Sequence, residues 1–394
     1  MLQSLLISNS RDAAELIARA IRQSGHINLA QVFCPPPTHY QLSRALSTQM
    51  LDVVFVETTF AGTSDAEQVR ILCDEIKDRA CRTAIIGFST EPREARSKIT
   101  SHALKWPLSS ANLCSTVRQA VRETSRGSLE NLFSVIPAKG GSGGTTITVN
   151  LACQLATTLG RSVLVAEADL RSGTISDWLG TKPVQSIAQS LACADDCLSL
   201  IWPRHVSSKY GVDWMLADRD RNGFRPFWGD YRHLLSFASA RYDCLLVDLP
   251  DTIDEEAAEV ALLSHTTFVV TTPEMLSLEL AGQRIEELEF FGVPRSRVQV
   301  LVNRVQRGDI VSPNEIQRRL GCEIGGLIPN DYPAVHRSIF EETFVSTGTK
   351  LGRAYCTLAR SIAGEPETTE PPRTLSMFGF LTSPRRSAVR AGTA

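Results

Sequence analysis

The sequence predicts an α/β protein with two doubly wound parallel-sheet domains. Over most of its 394 residues, short apolar runs alternate with segments whose apolar residues recur at helical spacing. Repeated strand–helix units of this kind build parallel sheets with helices on both faces. Several of the runs are apolar at every position, which is typical of strands buried on both sides.

The composition excludes several other classes. Hydrophobic residues make up 43% of the chain and charged residues 21%, which is enough apolar material for folded cores. The formal net charge is −2, so a generally basic surface is not expected and DNA binding is disfavoured. The N-terminus lacks the pattern of a signal peptide, and no uncharged apolar run reaches the ~18 residues of a spanning helix. We therefore expect a cytoplasmic protein.

Residues 1–125 form the first predicted domain. Its predicted strands are LQSLLIS, residues 27–33, LDVVFVE, TAIIGF and HALKW, and helical patterns cover 11–23, 65–77 and 110–123. Five such units imply a doubly wound sheet. A polar stretch after residue 123 indicates a linker, which we place at 126–131.

Residues 132–364 form the second predicted domain. Its predicted strands are LFSVIP, SVLVAEA, DWMLA, DCLLVDL, TTFVVTT, VQVLVN and EIGGLI. From residue 365 onward Pro, Thr, Ser and Gly dominate, so we expect 365–394 to be a flexible tail. The end of this tail carries arginines and a short apolar cluster, which leaves a peripheral membrane contact and a solvated tail as two alternatives.

A glycine-rich segment, AKGGSGGTT, joins the first strand of the second domain to a helix. Glycines let successive backbone N–H groups face one point, and the helix N-terminus adds positive potential there, so the segment has the features of a phosphate cradle. Thr145 or Thr146 can offer a hydroxyl to Mg²⁺. The ordinary G-x-x-x-x-G-K-[ST] pattern is not met, because Ala138 replaces its first glycine and Gly144 replaces its lysine. A plain glycine-rich turn is therefore the alternative.

Polar residues follow three later strands of the second domain. Glu167 and Asp169 follow one strand, Asp248 ends another, and Asn303 ends a third. Open α/β sheets bind ligands at the carboxyl ends of their strands. Asp248 can hold Mg²⁺ through water, and the amide of Asn303 can pair with a base edge. Each carboxylate alone could instead cap a helix, but their common position favours a ligand site.

These motifs resemble those of a known family. Lys139–Thr146, KGGSGGTT, resembles the deviant Walker A loop of the MinD/ParA ATPases, and EAD at 167–169 and VDLP at 247–250 resemble their Walker A′ and Walker B elements. The loop without its second lysine, together with TTPEMLSLELAG and LVNRV, resembles the Tad-pilus assembly branch, called TadZ or CpaE. Members of that branch commonly join a degenerate receiver domain to the ATPase domain.

The resemblance implies a P-loop NTPase fold that binds ATP and Mg²⁺ in a face-to-face homodimer. Lys139 would reach the phosphates bound by the partner protomer, and Asp169 would orient the attacking water. Thr145 and Asp248 would complete the Mg²⁺ shell, and Asn303 would contact the base. The loop residues that would bind nucleotide are Lys139, Gly140, Gly141, Ser142, Gly143, Gly144, Thr145 and Thr146.

The glycine at 144 removes a cation from the phosphate site. One donor to developing charge is worth ~2.7–4 kcal/mol of barrier, so we expect nucleotide binding with slow or negligible hydrolysis. With the resemblance, this predicts an ATP-dependent localisation factor that meets pilus or secretion assembly proteins at the cell pole or the inner face of the membrane. An active MinD/ParA-type ATPase that positions membrane or DNA cargo is the alternative. Candidate basic residues for DNA are Arg304, Arg307, Arg318, Arg319, Lys350 and Arg353.

The first domain resembles a response-regulator receiver that has lost its phosphorylation site. Its first strand is followed by Ser-Asn-Ser rather than an acidic cluster, and its third strand ends at Glu57 rather than Asp. Phosphorylation is disfavoured because the Mg²⁺ ligands are missing. Glu57 could contact Lys105 as a fixed mimic of phosphoaspartate, or it could be a surface carboxylate. We expect an interaction or dimerisation module.

Overall fold

The computed structural model confirms the α/β class. It describes residues 2–48, 51–58, 63–80, 83–89, 100, 102–104, 108–124, 128–192, 202–218, 226–306 and 312–365. These residues form two sheets, which we call the first unit (2–124) and the second unit (128–365). Lys105 and residues 366–394 of the tail lie outside the described residues.

The first unit has the strand order β2-β1-β3-β4-β5, and all of its strand pairs are parallel. This is the flavodoxin-like doubly wound order. Its strands are β1 Leu2–Ile7, β2 Ile27–Phe33, β3 Val53–Glu57, β4 Ala84–Phe88 and β5 His102–Ala103. Its helices are α1 Arg11–Ser24, α2 His39–Thr48, α3 Thr63–Arg79 and α4 Ser110–Thr124. The short β5 matches the last predicted strand, HALKW.

The second unit has the strand order β13-β12-β11-β6-β10-β7-β9-β8. Its strands are β6 Leu129–Pro137, β7 Val163–Glu167, β8 Ser207–Lys209, β9 Val212–Met215, β10 Cys244–Asp248, β11 Ser264–Thr271, β12 Val298–Val305 and β13 Glu323–Pro329. All pairs are parallel except β8 with β9. The sequence did not predict β8, because SSK has no apolar run. Strand β6 begins at Leu129, inside the stretch assigned to the linker.

Helices cover both faces of the second sheet. They are α5 Gly144–Thr157, α6 Ile175–Leu179, α7 Ile187–Leu191, α8 Trp228–Ser239, α9 Glu255–Leu263, α10 Met275–Phe290, α11 Pro313–Leu320, α12 Tyr332–Phe340 and α13 Lys350–Ile362. One core lies between the sheet and α8 to α11, and includes Leu234, Val260 and Leu278. The opposite core includes Ile147 of α5 and Tyr355 of α13. Two separate cores are what a sheet buried on both faces requires.

Helices α8 and α9 of the second unit pack against the first unit. Trp228, at the start of α8, is 1% exposed and packs into the core of the first unit with Leu2. In α9, the fully buried Glu259 pairs with Arg122 of α4 and with Arg232 of α8. The contact between the units therefore combines a buried indole with a buried ion pair.

No helix within the described residues is both long and apolar enough to cross a bilayer.

Candidate functional site

The glycine-rich segment curls between β6 and α5. Ala138 donates its N–H to Val270 of β11 at 2.8 Å, which anchors the start of the loop to the neighbouring strand. Gly141 and Gly143 have φ of 81° and 97°, a region that side chains with a Cβ rarely adopt. The N–H of Ser142 then closes a turn onto the carbonyl of Lys139 at 3.1 Å. The loop thus reaches the N-terminus of α5 in the curled form that the sequence predicted.

Asp248 lies directly against the first turn of α5. Its Oδ2 accepts the Thr145 hydroxyl at 2.7 Å and its Oδ1 accepts the Thr148 hydroxyl at 3.2 Å. Burial raises the pKa of Asp248 to about 7, although the hydroxyl of Thr145 acts to lower it. A hydroxyl and a carboxylate oxygen at this distance form the kind of oxygen donor set that Mg²⁺ prefers. Of the two threonines considered from the sequence, Thr145 is therefore the one that shares the carboxylate; Thr146 lies beside it in the same turn.

Asp169 lies in the loop after β7, at the same edge of the sheet. Its Oδ1 accepts the backbone N–H groups of Arg171 and Ser172 at 3.2 and 2.8 Å. It lines a cavity of about 480 Å³ together with Tyr231 and Pro250. In this conformation Oδ1 of the carboxylate holds its own loop, and the side chain lies at the edge of the cavity.

Glu167 has a structural position. It is fully buried, and its two oxygens accept the N–H groups of Ile175 and Ala217 at 2.8 and 2.9 Å. Burial raises the pKa of Glu167, and these backbone donors oppose the rise. A Cβ at Gly173 would lie 2.6 Å from the Glu167 carboxyl carbon, so this glycine allows the close approach. The glutamate therefore ties α6 and the segment after β9 to the end of β7.

The Lys139 amine pairs with a carboxylate outside the loop. Its Nζ is 3.1 Å from Oε2 of Glu274, the residue that precedes α10. Both side chains are accessible, and exposed ion pairs are worth about 0–1 kcal/mol. The lysine is thus held weakly within its own chain.

Gly144 is buried at the start of α5. A Cβ there would lie 3.3 Å from Cδ of Pro137, the last residue of β6. This is a tight contact, so a side chain at position 144 requires Pro137 to move by a few tenths of an ångström. Position 144 therefore lacks the lysine of the ordinary loop pattern and also has little space for a side chain.

Asn303 reaches the loop from β12. Its Nδ2 donates to the carbonyl of Ser142 at 2.8 Å, and its Oδ1 accepts the N–H of Arg304 at 2.9 Å. Arg304 in turn donates from Nη2 to the carbonyl of Gly141 at 2.8 Å, although its φ is 59°. Such a left-handed arginine costs about 1–3 kcal/mol. From the sequence, Arg304 was considered only as a candidate basic residue for DNA binding, and its contact with the loop was missed because no local pattern specifies the unusual backbone.

Glu57 of the first unit is buried. Its Oε2 accepts the Ser8 hydroxyl at 2.6 Å and the N–H groups of Asn9 and Ser10 at 2.8 and 3.2 Å. The alternative of a surface carboxylate is wrong, because the side chain is enclosed by the β1–α1 loop. The contact expected with Lys105 falls outside the described residues.

A parallel sheet, a glycine-rich loop before a helix, and a Thr–Asp pair beneath that loop define a P-loop NTPase architecture of the MinD/ParA type. The septum site-determining protein MinD of Thermotoga maritima is 26% identical over 245 residues, covering 60% of this chain and 89% of that protein. The ParA family ATPase structure from Chlorobium tepidum is 26% identical, with a TM-score of 0.54, and the match covers 58% of this chain and 98% of that one.

A third relative supports the fold alone. The structure of MinD with Mg-ADP from Pyrococcus horikoshii is 22% identical, with a TM-score of 0.51, and the match covers 59% of this chain and 95% of that one. No protein-family model matches the chain. The chain is therefore similar to MinD/ParA-type P-loop ATPases in sequence and in fold.

Proposed function

We propose that the second unit binds ATP with Mg²⁺ at the loop 138–146 and that the bound state promotes dimerisation. The observation that carries this proposal is the Thr145–Asp248 pair, 2.7 Å apart, at the N-terminus of α5 below the curled loop. A MinD of similar fold has been solved with Mg-ADP, and a nucleotide with Mg²⁺ is the ligand that we propose for this loop. Loop amides and the helix N-terminus would bind the phosphates.

The residues of the site take distinct roles. Thr145 and Asp248 would hold Mg²⁺, which when bound neutralises phosphate charge. Lys139 would leave Glu274 and meet the phosphates of a partner protomer, and the weakness of an exposed ion pair makes that exchange inexpensive. Asn303 would lie near the base, beside the loop that it contacts.

Hydrolysis by this site would be weak. Gly144 supplies no cation, and charge stabilisation is most of what a protein adds to phosphoryl transfer. Asp169 accepts two amides of its own loop. An active MinD/ParA-type ATPase that positions membrane or DNA cargo is the second candidate, favoured by the presence of both Lys139 and Asp169 at the sheet edge.

We further propose that the chain acts in the cytoplasm as a localisation factor for a Tad/Flp-type pilus. The domains would be 1–125, a degenerate receiver, and 132–364, the nucleotide-binding domain, with a linker at 126–131 and a tail at 365–394. The strand order of the first unit and the enclosed Glu57 support a receiver that no longer takes phosphate. Its partners would be pilus assembly proteins at the cell pole or the inner membrane face, with the tail as a peripheral contact.

Light scattering of the full chain without nucleotide, with ADP and with ATP tests this function. We expect a dimer with ATP that is lost in Lys139→Ala, together with little phosphate release. A chain that stays monomeric with ATP contradicts dimerisation. Turnover in the range of about 1–100 s⁻¹ would instead support the active ATPase.

A further inference from the structure

The end of β12 contains an irregular stretch whose side chains contact the glycine-rich loop 138–146. We propose that Asn303 and Arg304 are positioning residues that hold the loop in its anion-binding shape before any ligand arrives. This inference rests on the proposed nucleotide binding. The two residues would offset the absence of a lysine at position 144 by holding the loop ready to bind phosphate.

The two side chains donate hydrogen bonds to successive backbone carbonyls of the loop. Arg304 Nη2 donates to Gly141, and Asn303 Nδ2 donates to Ser142, each at 2.8 Å. In a trans peptide the N–H points opposite to the C=O. Fixing these two carbonyls toward β12 therefore directs the N–H groups of Ser142 and Gly143 away from it. The Ser142 N–H is used to close the turn at Lys139, which leaves the N–H of Gly143 for an anion.

The backbone is built around these contacts. The pairing of β12 with β13 shifts register between Val302 and Val305, and Arg304 adopts a φ of 59° within that shift. Bulges beside functional sites commonly re-aim side chains. A Cβ at Gly143 would lie 2.3 Å from Nδ2 of Asn303. Position 143 must therefore be glycine for Asn303 to bond to the carbonyl of Ser142. The strained backbone of Arg304 and the close approach of Asn303 to Gly143 therefore occur at the same place, where β12 contacts the loop.

The amide of Asn303 contacts the loop and the backbone of β12. Both polar atoms of its amide already bond to the protein, Nδ2 to Ser142 and Oδ1 to Arg304. The residue is 6% exposed. The guanidinium of Arg304 is exposed and adds positive charge beside the loop, at the edge where Gly144 provides none.

Binding of nucleotides that differ in phosphate number tests the proposal. Titration calorimetry on full-length wild type, Asn303→Ala and Arg304→Gln would use Mg-ATP, Mg-ADP and AMP. We expect Mg-ATP and Mg-ADP to bind about tenfold more weakly to both variants, with AMP binding changed less than about twofold. Arg353→Gln is the matched control, because Arg353 also donates to a glycine carbonyl, that of Gly348 at 2.9 Å, away from the loop.

A second measurement does not depend on nucleotide. Hydrogen exchange of the ligand-free protein should show faster exchange across residues 138–145 in Asn303→Ala and Arg304→Gln than in wild type or Arg353→Gln, with thermal unfolding confirming that each variant is folded. Equal losses for all three nucleotides, or wild-type exchange in the variants, overturn the positioning role alone. A folded wild type that binds none of the nucleotides overturns the proposed function as well.

Discussion

Removing the Glu259 carboxylate should destabilise the contact between the two units. Glu259 is 0% exposed, with Arg122 Nε at 3.4 Å and Arg232 as its second partner. Burial lowers the pKa of Arg122, and Glu259 opposes this effect most strongly, with a smaller contribution from Glu255. Glu259→Ala leaves two guanidiniums near the interface without their carboxylate, and breaking a buried pair costs about 3–5 kcal/mol.

Glu255 provides a matched control one turn earlier in α9. It also pairs with an arginine of α4, Arg118, but its side chain is 47% exposed. Exposed pairs contribute about 0–1 kcal/mol, so Glu255→Ala should be nearly neutral. The same helix and the same partner helix therefore give two very different expected costs.

Thermal and urea unfolding of the full chain would measure the difference. We expect Glu259→Ala to lower the midpoint by several degrees and Glu255→Ala to change it little. Because the chain has two units, tryptophan emission should be followed alongside helical content, since Trp228 lies in the shared contact. Equal effects of the two substitutions would refute the assignment of the buried pair as the main polar link.

Two further predictions concern the site, and one concerns the pH dependence of folding stability. Asp248→Asn should weaken Mg-ATP binding by about 10–100-fold in calorimetry and change binding in EDTA much less, and equal losses would contradict the metal role. Gly144→Lys should raise phosphate release by about 10²-fold, whereas Gly144→Ala, which meets the same Pro137 contact without charge, should not. Burial raises the pKa of Glu256 to about 7, so its ionisation destabilises the fold as pH rises from about 4.5 to 7. Glu256→Gln should therefore add about 1 kcal/mol at pH 8, after allowance for solvent screening, and nothing at pH 4; equal melting shifts at both pH values would contradict this.

The α/β class and the loop were predictable because their signals are local. The apolar run CLLVD at 244–248 is short and rich in strand-forming residues, which predicts a buried strand from the local sequence, and a glycine-rich segment between a strand and a helix predicts a turn. The position of Asp248 beside Thr145 followed from a general property of parallel sheets, in which the strand ends share one edge.

The remaining features depend on contacts between distant parts of the chain. Strand β8 is three residues long and polar, and it exists only because β9 pairs with it. Three other features each require a partner far away in sequence. They are the burial of Trp228 in the first unit, the hydrogen bond from Ala217 to Glu167, and the contact of the left-handed Arg304 with Gly141. None of these partners leaves a periodic or compositional signal.

Equilibrium titration of the folded, full-length protein with ATP, with and without Mg²⁺, tests the central claim most directly. We expect saturable binding of one nucleotide per chain that is tighter with Mg²⁺, because Thr145 and Asp248 are arranged to hold the cation. An absence of binding in both conditions would contradict it.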